Sequence, residues 1–480
     1  MYTECFILFD ECEKLVQDVH YRDSIREPMN DFFHFQHKAL ISATPIVPEK
    51  DNRFDSFMRV LIQPDYEYRQ KLKLITTNNV LETLQEVIEA KRGTVCIFCN
   101  SIDSIDSFYR LIPELNNACT FCSEDGQYKL WKGNRRKKSM MITELERYNF
   151  FTSRFYSAVD IICKNPPHVI LISDLHGATQ SVIDPTTEAI QIIGRFRGGV
   201  NTVTHIASIR PDLECMSTNE IDSWIQGASH IFNGWKTQLA QTSNIGERTL
   251  LQEAIGENSY LPYLDANGKP DPFLIANLYE KEQVKRLYTS TDLLCSAYQQ
   301  TDYFIFSHEE RLMPVSDNER MAIQHRLAKK KRAELIVRKL EEMEKMSRTT
   351  DKKVQKRYQR MLGNLLTTTN DRYIYDCFCR FGGDFIRESD YNENKLRTAL
   401  NVSSEHTIKQ SGQMRSSIQR TFPIGSELSV QEVKSMLKQV YKKMGLNTGR
   451  GITTKELEQY AEIEKGWKHD NRTIKILKFK

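Results

Sequence analysis

The sequence predicts an α/β protein: a parallel-sheet region over residues 1–214, a mainly helical region after it, and a small α/β domain at the C-terminal end. Three observations predict this. Short apolar runs of strand length alternate with helix-like stretches up to about residue 214, the pattern of a parallel sheet covered on both faces. Beyond that point the chain changes to long polar-amphipathic stretches of helix-favouring composition. Near residue 423 it changes again, to a short segment with its own helix-start and helix-stop signals and a final alternating strand.

The strand-like runs, in order, are CFILF at 5–9, KALISAT at 38–44, TVCIFC at 94–99, NFFTS at 149–153, HVILIS at 168–173 and TVTHIAS at 202–208. Helix-like stretches lie between them, for example around 79–91 and 185–197. The helical region is interrupted by YLPYLDANGKPDPFLI, which reads as two strands around a turn. Its Asp265, Asn267 and Asp271 superficially match a calcium loop. Pro270 stands where such a loop needs glycine, and Ala276 where it needs a bidentate glutamate, so the segment is a plain turn. Residues 326–360 carry about +9 net in a helix-favouring composition. In the last segment Ser429 and Glu432 form a capping box ahead of apolar Val430, Val433, Met436, Leu437, Val440, Tyr441 and Met444, with Gly445 as the stop. Thr453 and Glu456 repeat the box, and TIKILKF at 473–479 alternates as a strand.

Composition narrows the function classes. The 480 residues are 40% hydrophobic and 27% charged with a net charge of +4. No apolar stretch approaches the roughly 18 residues of a membrane span, so no membrane partner is expected. A net charge this small means that nucleic-acid affinity must come from local clusters. The 11 cysteines, an odd number scattered through the chain without an export-type signal, are expected to be reduced thiols in a cytoplasmic protein. Cys96-Cys99 and Cys119-Cys122 have zinc-ribbon spacing on paper. Both pairs sit in strand-like runs, where residues i and i+3 face opposite sides, so they read as buried structural thiols.

Five local patterns carry chemistry, in a fixed order. Asp10-Glu11-Cys12-Glu13 follows the strand CFILF; a strand-end Asp can hold magnesium through water, and an adjacent Glu can orient an attacking water. Ser42-Ala43-Thr44-Pro45 ends the next strand, with small hydroxyls able to bond the neighbouring acids and a proline that turns the chain away. Asn100 and Ser101 end the strand VCIFC before a helix. FFTSRFYSAVDI ends a strand in Thr152, Ser153 and Arg154, with Asp160 further on. QIIGRFRGG places Gln191, Gly194, Arg195 and Arg197 at the end of a helix stopped by two glycines.

Together this order and spacing resemble the superfamily 2 helicases, the DEAD/DEAH-like ATPases, over about residues 5–210. DECE is similar to their second motif, SATP to the third, the 95–101 strand to the fourth, TSRFYSAVD to the fifth and QIIGRFR to the sixth. The resemblance implies two RecA-like domains with ATP and magnesium between them. It places Asp10 at magnesium and Glu11 at the attacking water. Ser42 and Thr44 would couple nucleotide state to domain movement, with Gln191, Gly194 and Asp160 also at the nucleotide, and Asn100, Ser101, Thr152 and Arg154 near the nucleic-acid backbone. An arginine of the sixth motif would neutralise the transferring phosphoryl. The common family form has three residues from its first arginine to its last, whereas Arg195 and Arg197 are two apart, so either is a candidate finger.

One part of the family pattern is absent. No Gly-Lys followed by Ser or Thr occurs in the sequence, so the P-loop that cradles β- and γ-phosphates is missing. The expectation is a chain that starts inside the first ATPase domain, or one completed by a polypeptide that supplies the P-loop half. By itself it should turn over ATP poorly, and residues 1–65 should be poorly stable for want of neighbouring strands. The expected organisation is 1–66, the C-terminal part of a first RecA-like domain; 67–214, a complete second one; 215–325, a mainly helical accessory region with a short hairpin; 326–422, a basic helical region; and 423–480, a small domain, winged-helix-like in outline. Lys329, Lys330, Lys331 and Arg332, with the basic residues of 352–360 behind them, are candidate contacts to a phosphate backbone, and Trp467, Lys468, Arg472 and Lys475 form a second candidate surface. The expected activity is an ATP-dependent helicase or translocase of replication or mobile-element type, on DNA rather than RNA. The alternative is a non-catalytic nucleic-acid-binding or scaffold subunit that retains the fold.

Overall fold

The computed structural model describes the chain except residues 1, 21, 132–137, 143, 158, 266, 324–326, 348–354, 356–357, 360–361, 364–365, 367–368, 447, 449–450 and 469–470. The chain divides into two compact units, 1–319 and 320–480.

The first unit is α/β and holds two parallel sheets, as the alternating runs predict. Strands β1 (Phe6–Asp10) and β2 (His37–Ile41) form a two-stranded parallel pair, with the short helices α1 (Lys14–Gln17) and α2 (Pro28–His34) between them. The predicted strand 38–44 stops at Ile41, because Ser42 turns its hydroxyl onto the chain and Pro45 breaks the ladder.

The large sheet is built from β3 (Gln70–Thr77), β4 (Val95–Cys99), β5 (Cys119–Phe121), β6 (Lys138–Ser139), β7 (Tyr148–Phe151), β8 (His168–Ser173), β9 (Thr202–Ala207) and β10 (Phe304–Arg311). Its eight strands run in the order β10-β3-β9-β8-β4-β7-β5-β6, every neighbouring pair parallel. The two strands at its centre, β4 and β8, are buried along their whole length, which is why they read as unbroken apolar runs. Helices α3 (Val80–Glu89), α4 (Ile102–Leu111), α5 (Glu124–Trp131) and α6 (Glu188–Gly194) fill the connections. Asn79 and Ser101 cap α3 and α4 by accepting the backbone N–H of Glu82 and Ser104. Cys96 and Cys119 lie in the core on one face of the sheet, and Cys99 and Cys122 in the core on the other. The two C-x-x-C pairs are thus split by the strand pleat rather than gathered around a metal.

The helical part of this unit comprises α7 (Thr218–Gln241), α8 (Ile245–Gly256), α9 (Pro272–Leu287) and α10 (Thr291–Gln299). The expected hairpin around 260–275 reduces to one antiparallel bridge, Leu264 to Pro270. Asp271 accepts the backbone N–H groups of Phe273 and Leu274 and Pro272 occupies the first turn, so the second apolar run opens α9 instead of forming a strand. Residues 304–311, within the region expected to be mainly helical, supply β10, the edge strand beside β3. Helix α9 also packs under the N-terminal pair. Phe273 and Leu274 join Cys12, Leu15, Val16, Met29, Phe32 and Phe54 in one core, and the Arg26 guanidinium reaches Asp271 at 2.7 Å. Phe6, Leu8 and Ile41 remain exposed.

A short helix, α11 (Asp317–Met321), leads to the second unit, where α12 (Lys329–Ser347), α13 (Arg372–Glu388), α14 (Glu393–Gln410), α15 (Gly412–Thr421) and α16 (Val430–Lys443) follow. The antiparallel strands β11 (Glu427–Ser429), β12 (Ala461–Lys468) and β13 (Asn471–Phe479) pair in the order β11-β13-β12. Both predicted capping boxes are formed, Ser429 with Glu432 and Thr453 with Glu456, the latter opening a 3-10 turn rather than an α-helix. Met414, Ile418 and Phe422 share a core with Val433, Leu437, Tyr441, Ile474 and Ile476, so the C-terminal module begins at about residue 412. Among the described residues no helix is long and apolar enough to cross a membrane.

Candidate active site

The end of β1 and the end of α6, about 180 residues apart in sequence, meet in one cluster. Glu11, directly after β1, adopts φ 51°, a left-handed conformation uncommon for a non-glycine residue. Its backbone N–H donates to Asp10 Oδ1 at 2.9 Å, and its carboxylate accepts from Arg195 Nη1 at 3.4 Å. Arg195 is held from behind, with Nε donating to the Gln191 carbonyl and Nη2 to Gln191 Oε1, both at 3.1 Å. The Gln191 amide then donates to Glu13 Oε1 at 3.1 Å and to Thr44 Oγ1 at 3.0 Å. Ser42 closes the ring, its hydroxyl donating to Glu13 and accepting the Thr44 backbone N–H.

Three of the five sequence patterns are therefore one hydrogen-bonded unit: the acids after β1, the Ser-Ala-Thr turn after β2, and the Gln and Arg at the end of α6. Glu13 is its buried hub, fully shielded from solvent. Burial raises its carboxyl above the ordinary glutamate range, the Ser42 hydroxyl pulling the other way. Sequence reasoning carried Asp10 and Glu11 forward and left Glu13 without a role. The available signal was its place as the last acid of the same four-residue run.

The two arginines are distinguished by where they point. Arg195 is buried and faces Glu11. Arg197 pairs with Asp160 at 3.0 Å, with side chains 70% and 48% exposed. Gly194, the last residue of α6, has open space where a Cβ would stand. Asn100 donates to the Gln180 carbonyl at 3.3 Å, and Ser101 caps α4. Thr152 is buried and donates to the Phe121 carbonyl at 3.4 Å, while Arg154 is exposed. In the second unit Lys329, Lys330 and Arg332 pair with Glu393, Asp390 and Asp371 at 3.4, 2.6 and 2.7 Å. Three of the four cations of the run 329–332 are thus neutralised within their own unit. Lys352, Lys353, Lys356, Arg357 and Arg360 lie outside the described residues.

A second layer of contacts, not read from the sequence, lies beside the ring. Gln17 donates to Thr187 Oγ1 at 3.0 Å and to Glu280 at 3.2 Å. The Asp184 carboxylate accepts from the hydroxyls of Thr186 and Thr187. Burial pushes the Glu188 carboxyl up to about 8 and, with the charge of Asp184, that of Glu280 up to about 7. A cavity of about 780 Å³ opens here, lined by residues of 43–50, 184–187, 218–226 and 270–283, Thr44 among them.

The donor set fits a hydrated magnesium ion in part. Asp10 is exposed, and one of its oxygens is taken by the Glu11 N–H. The other is available to bind through water, as magnesium accepts when phosphate oxygens complete its shell. Among the described residues no three His, Cys, Asp or Glu side chains form a metal-holding group. A glycine-rich phosphate cradle has no counterpart in the sequence. No family model matches the chain, and no curated protein does.

Proposed function

We propose that residues 1–319 contain the magnesium-and-arginine side of an ATP-hydrolysing cleft of superfamily 2 type, and that the protein acts in an ATP-dependent helicase or translocase on DNA. The observation that carries this reading is the Glu11–Arg195 approach. An acid positioned to orient water and a buried arginine face each other at 3.4 Å, with Gln191 bonded to both the acid run and the Ser-Ala-Thr turn. Phosphoryl transfer requires positioning and charge neutralisation rather than covalent participation by the protein, and these are the roles this side-chain set can perform. Magnesium, held by Asp10 through water and by phosphate oxygens, would neutralise the phosphates. Glu11 would orient the attacking water and Arg195 would bind the transferring phosphoryl. The Glu13–Gln191–Thr44 bonds would report nucleotide state to the strand ends. A P-loop from a further segment or a second polypeptide would complete the cleft.

Phosphate release from magnesium-ATP with and without single-stranded DNA tests the reading. Any turnover is expected to be slow, to rise with DNA and to be abolished by Glu11→Gln. Turnover that is indifferent to both DNA and this substitution would contradict it.

A further inference from the structure

We propose that the C-terminal module, residues 412–480, binds single-stranded nucleic acid, with the phosphate backbone along a lysine stripe on α16 and a base on Trp467. In α16 the residues Lys434, Lys438 and Lys442 recur every four positions. Each step rises about 6 Å and drifts by only about 40° around the axis, so the three ammonium groups share one flank. Val433, Leu437, Val440 and Tyr441 bury the adjoining face.

Lys434, Lys438, Lys442 and Lys443 are all exposed, and among the described residues no ion pair neutralises them. The helix has a single acid, Glu432, in its first turn, where it is committed to the Ser429 cap. The basic run of α12 differs, since its Lys329, Lys330 and Arg332 already have carboxylate partners. Like charges four residues apart weaken a helix by a few tenths of a kcal/mol per pair, a cost that an anion laid along the stripe reverses. The step of about 6 Å is commensurate with one to two phosphates of a strand, which carries a charge about every 3.4 Å of axis.

The β12–β13 hairpin of the same module adds a second, independent feature. Trp467 is 69% exposed, and the Arg472 guanidinium, in register across the hairpin, lies 5.2 Å from its ring centroid. An open indole with a cation at its face is a stacking platform for an unpaired base. Lys468 is less available, being 3.7 Å from Glu427.

The inference deepens the nucleic-acid part of the proposed function, and its test needs no ATP, so failure here and failure of the ATP cleft are separate results. The test is fluorescence anisotropy of a labelled single-stranded oligonucleotide with the full chain, titrated in salt. The triple substitution Lys434→Gln, Lys438→Gln, Lys442→Gln is expected to weaken binding about tenfold or more at low salt. It is also expected to make the log–log salt slope shallower by about 2, from roughly 0.7 counterions per phosphate contact. The corresponding triple arginine variant should retain affinity, which separates lost charge from lost folding. Trp467→Ala is expected to weaken single-strand binding about fivefold or more while leaving duplex binding unchanged. Unchanged affinity and slope in the triple glutamine variant would overturn the proposal. So would equal loss on single strand and duplex in Trp467→Ala, or binding to phosphatidylserine vesicles without binding to the oligonucleotide.

Discussion

Arg195→Ala is expected to lower the stability of the 1–319 unit by about 2 kcal/mol, and Arg197→Ala by less than about 0.5 kcal/mol. Arg195 is buried and makes three hydrogen bonds, two to Gln191 and one to Glu11. Its loss leaves the shielded Gln191 side chain without a partner for Oε1 and frees Glu11, which is held in a strained backbone conformation. Arg197 and Asp160 form a pair with side chains 70% and 48% exposed, where screening leaves little net attraction. Urea denaturation of the two variants reads the difference directly. In an assembly that supplies a P-loop, the same pair should separate more widely in ATP turnover. Loss of an arginine finger lowers turnover by about 10³-fold or more, and only Arg195 is aimed at the acid that would orient water. Similar losses for the two arginines would contradict this assignment.

The second large effect is a loss of stability on going from about pH 6 to pH 9. Glu188 and Glu280 titrate in the folded protein near 8 and 7, because burial disfavours their charged forms. In the unfolded chain both return to the ordinary carboxyl range near 4.5. Their contribution is therefore complete below about pH 4.5 and is lost as pH rises through 7 and 8, where the folded state must release protons that the unfolded state has already released. Among their charged neighbours the Asp184 charge raises and Lys14 lowers both titration points, Glu280 also raises that of Glu188, and Lys281 lowers that of Glu280. His205 acts in the opposite direction. Burial pushes it down to about 3, so its contribution is present above about 6.5 and fades as pH falls. Below about 6.5 the two acids outweigh the single histidine, so thermal denaturation should give its highest midpoint near pH 5, with a fall toward pH 9 on the order of a few kcal/mol. Glu188→Gln with Glu280→Gln, which mimics the protonated acids, should flatten that fall. A fall of unchanged size in the double variant would contradict the assignment.

How far the fold was legible follows from which strands are buried. β4, β8 and β9 read as strands because they lie inside the sheet and are buried on both faces. β3 begins Gln-Lys-Leu-Lys, and β10 reads Phe-Ile-Phe-Ser-His-Glu-Glu-Arg. Their exposed positions carry charge, so they resemble loops or helix faces until their neighbours are known. β10 is paired to β3 across more than 200 residues of chain, a relation with no local signature. The 260–275 segment failed as a hairpin because capping by Asp271 and the fixed φ of Pro272 outweighed the apolar pattern.

The candidate site was legible as a set of types and not as a network. Asp10, Glu11, Ser42, Thr44, Gln191 and Arg195 stand out by order and spacing. The choice between Arg195 and Arg197 rests on burial and on which acid each faces, which two residues separated by one phenylalanine do not reveal. Glu13 was visible as a third acid, but its role depends on Ser42 and Gln191 converging on it. Gln17 and Glu280 had no motif, since they meet across more than 260 residues of chain, and Asp184 accepts from the neighbouring Thr186 and Thr187 in a turn without a sequence signature. In the second unit the charge run at 329–332 looked like a ligand surface until its acidic partners at the start of α14 and in the turns before α13 and α14 were placed. The stripe at 434–442 is weaker in sequence and less neutralised in space.

The central claim is that a triphosphate lies between the acids after β1 and the arginine after α6. Photo-cross-linking with an ATP analogue that carries its reactive group on the γ-phosphate, in the presence of magnesium, tests this most directly. Proteolysis and mass spectrometry are predicted to find ATP-competable label on both peptides, 5–14 and 188–197, with label at the second lost in Arg195→Ala. Label confined to other regions, or label on these peptides that excess ATP does not displace, would contradict the account.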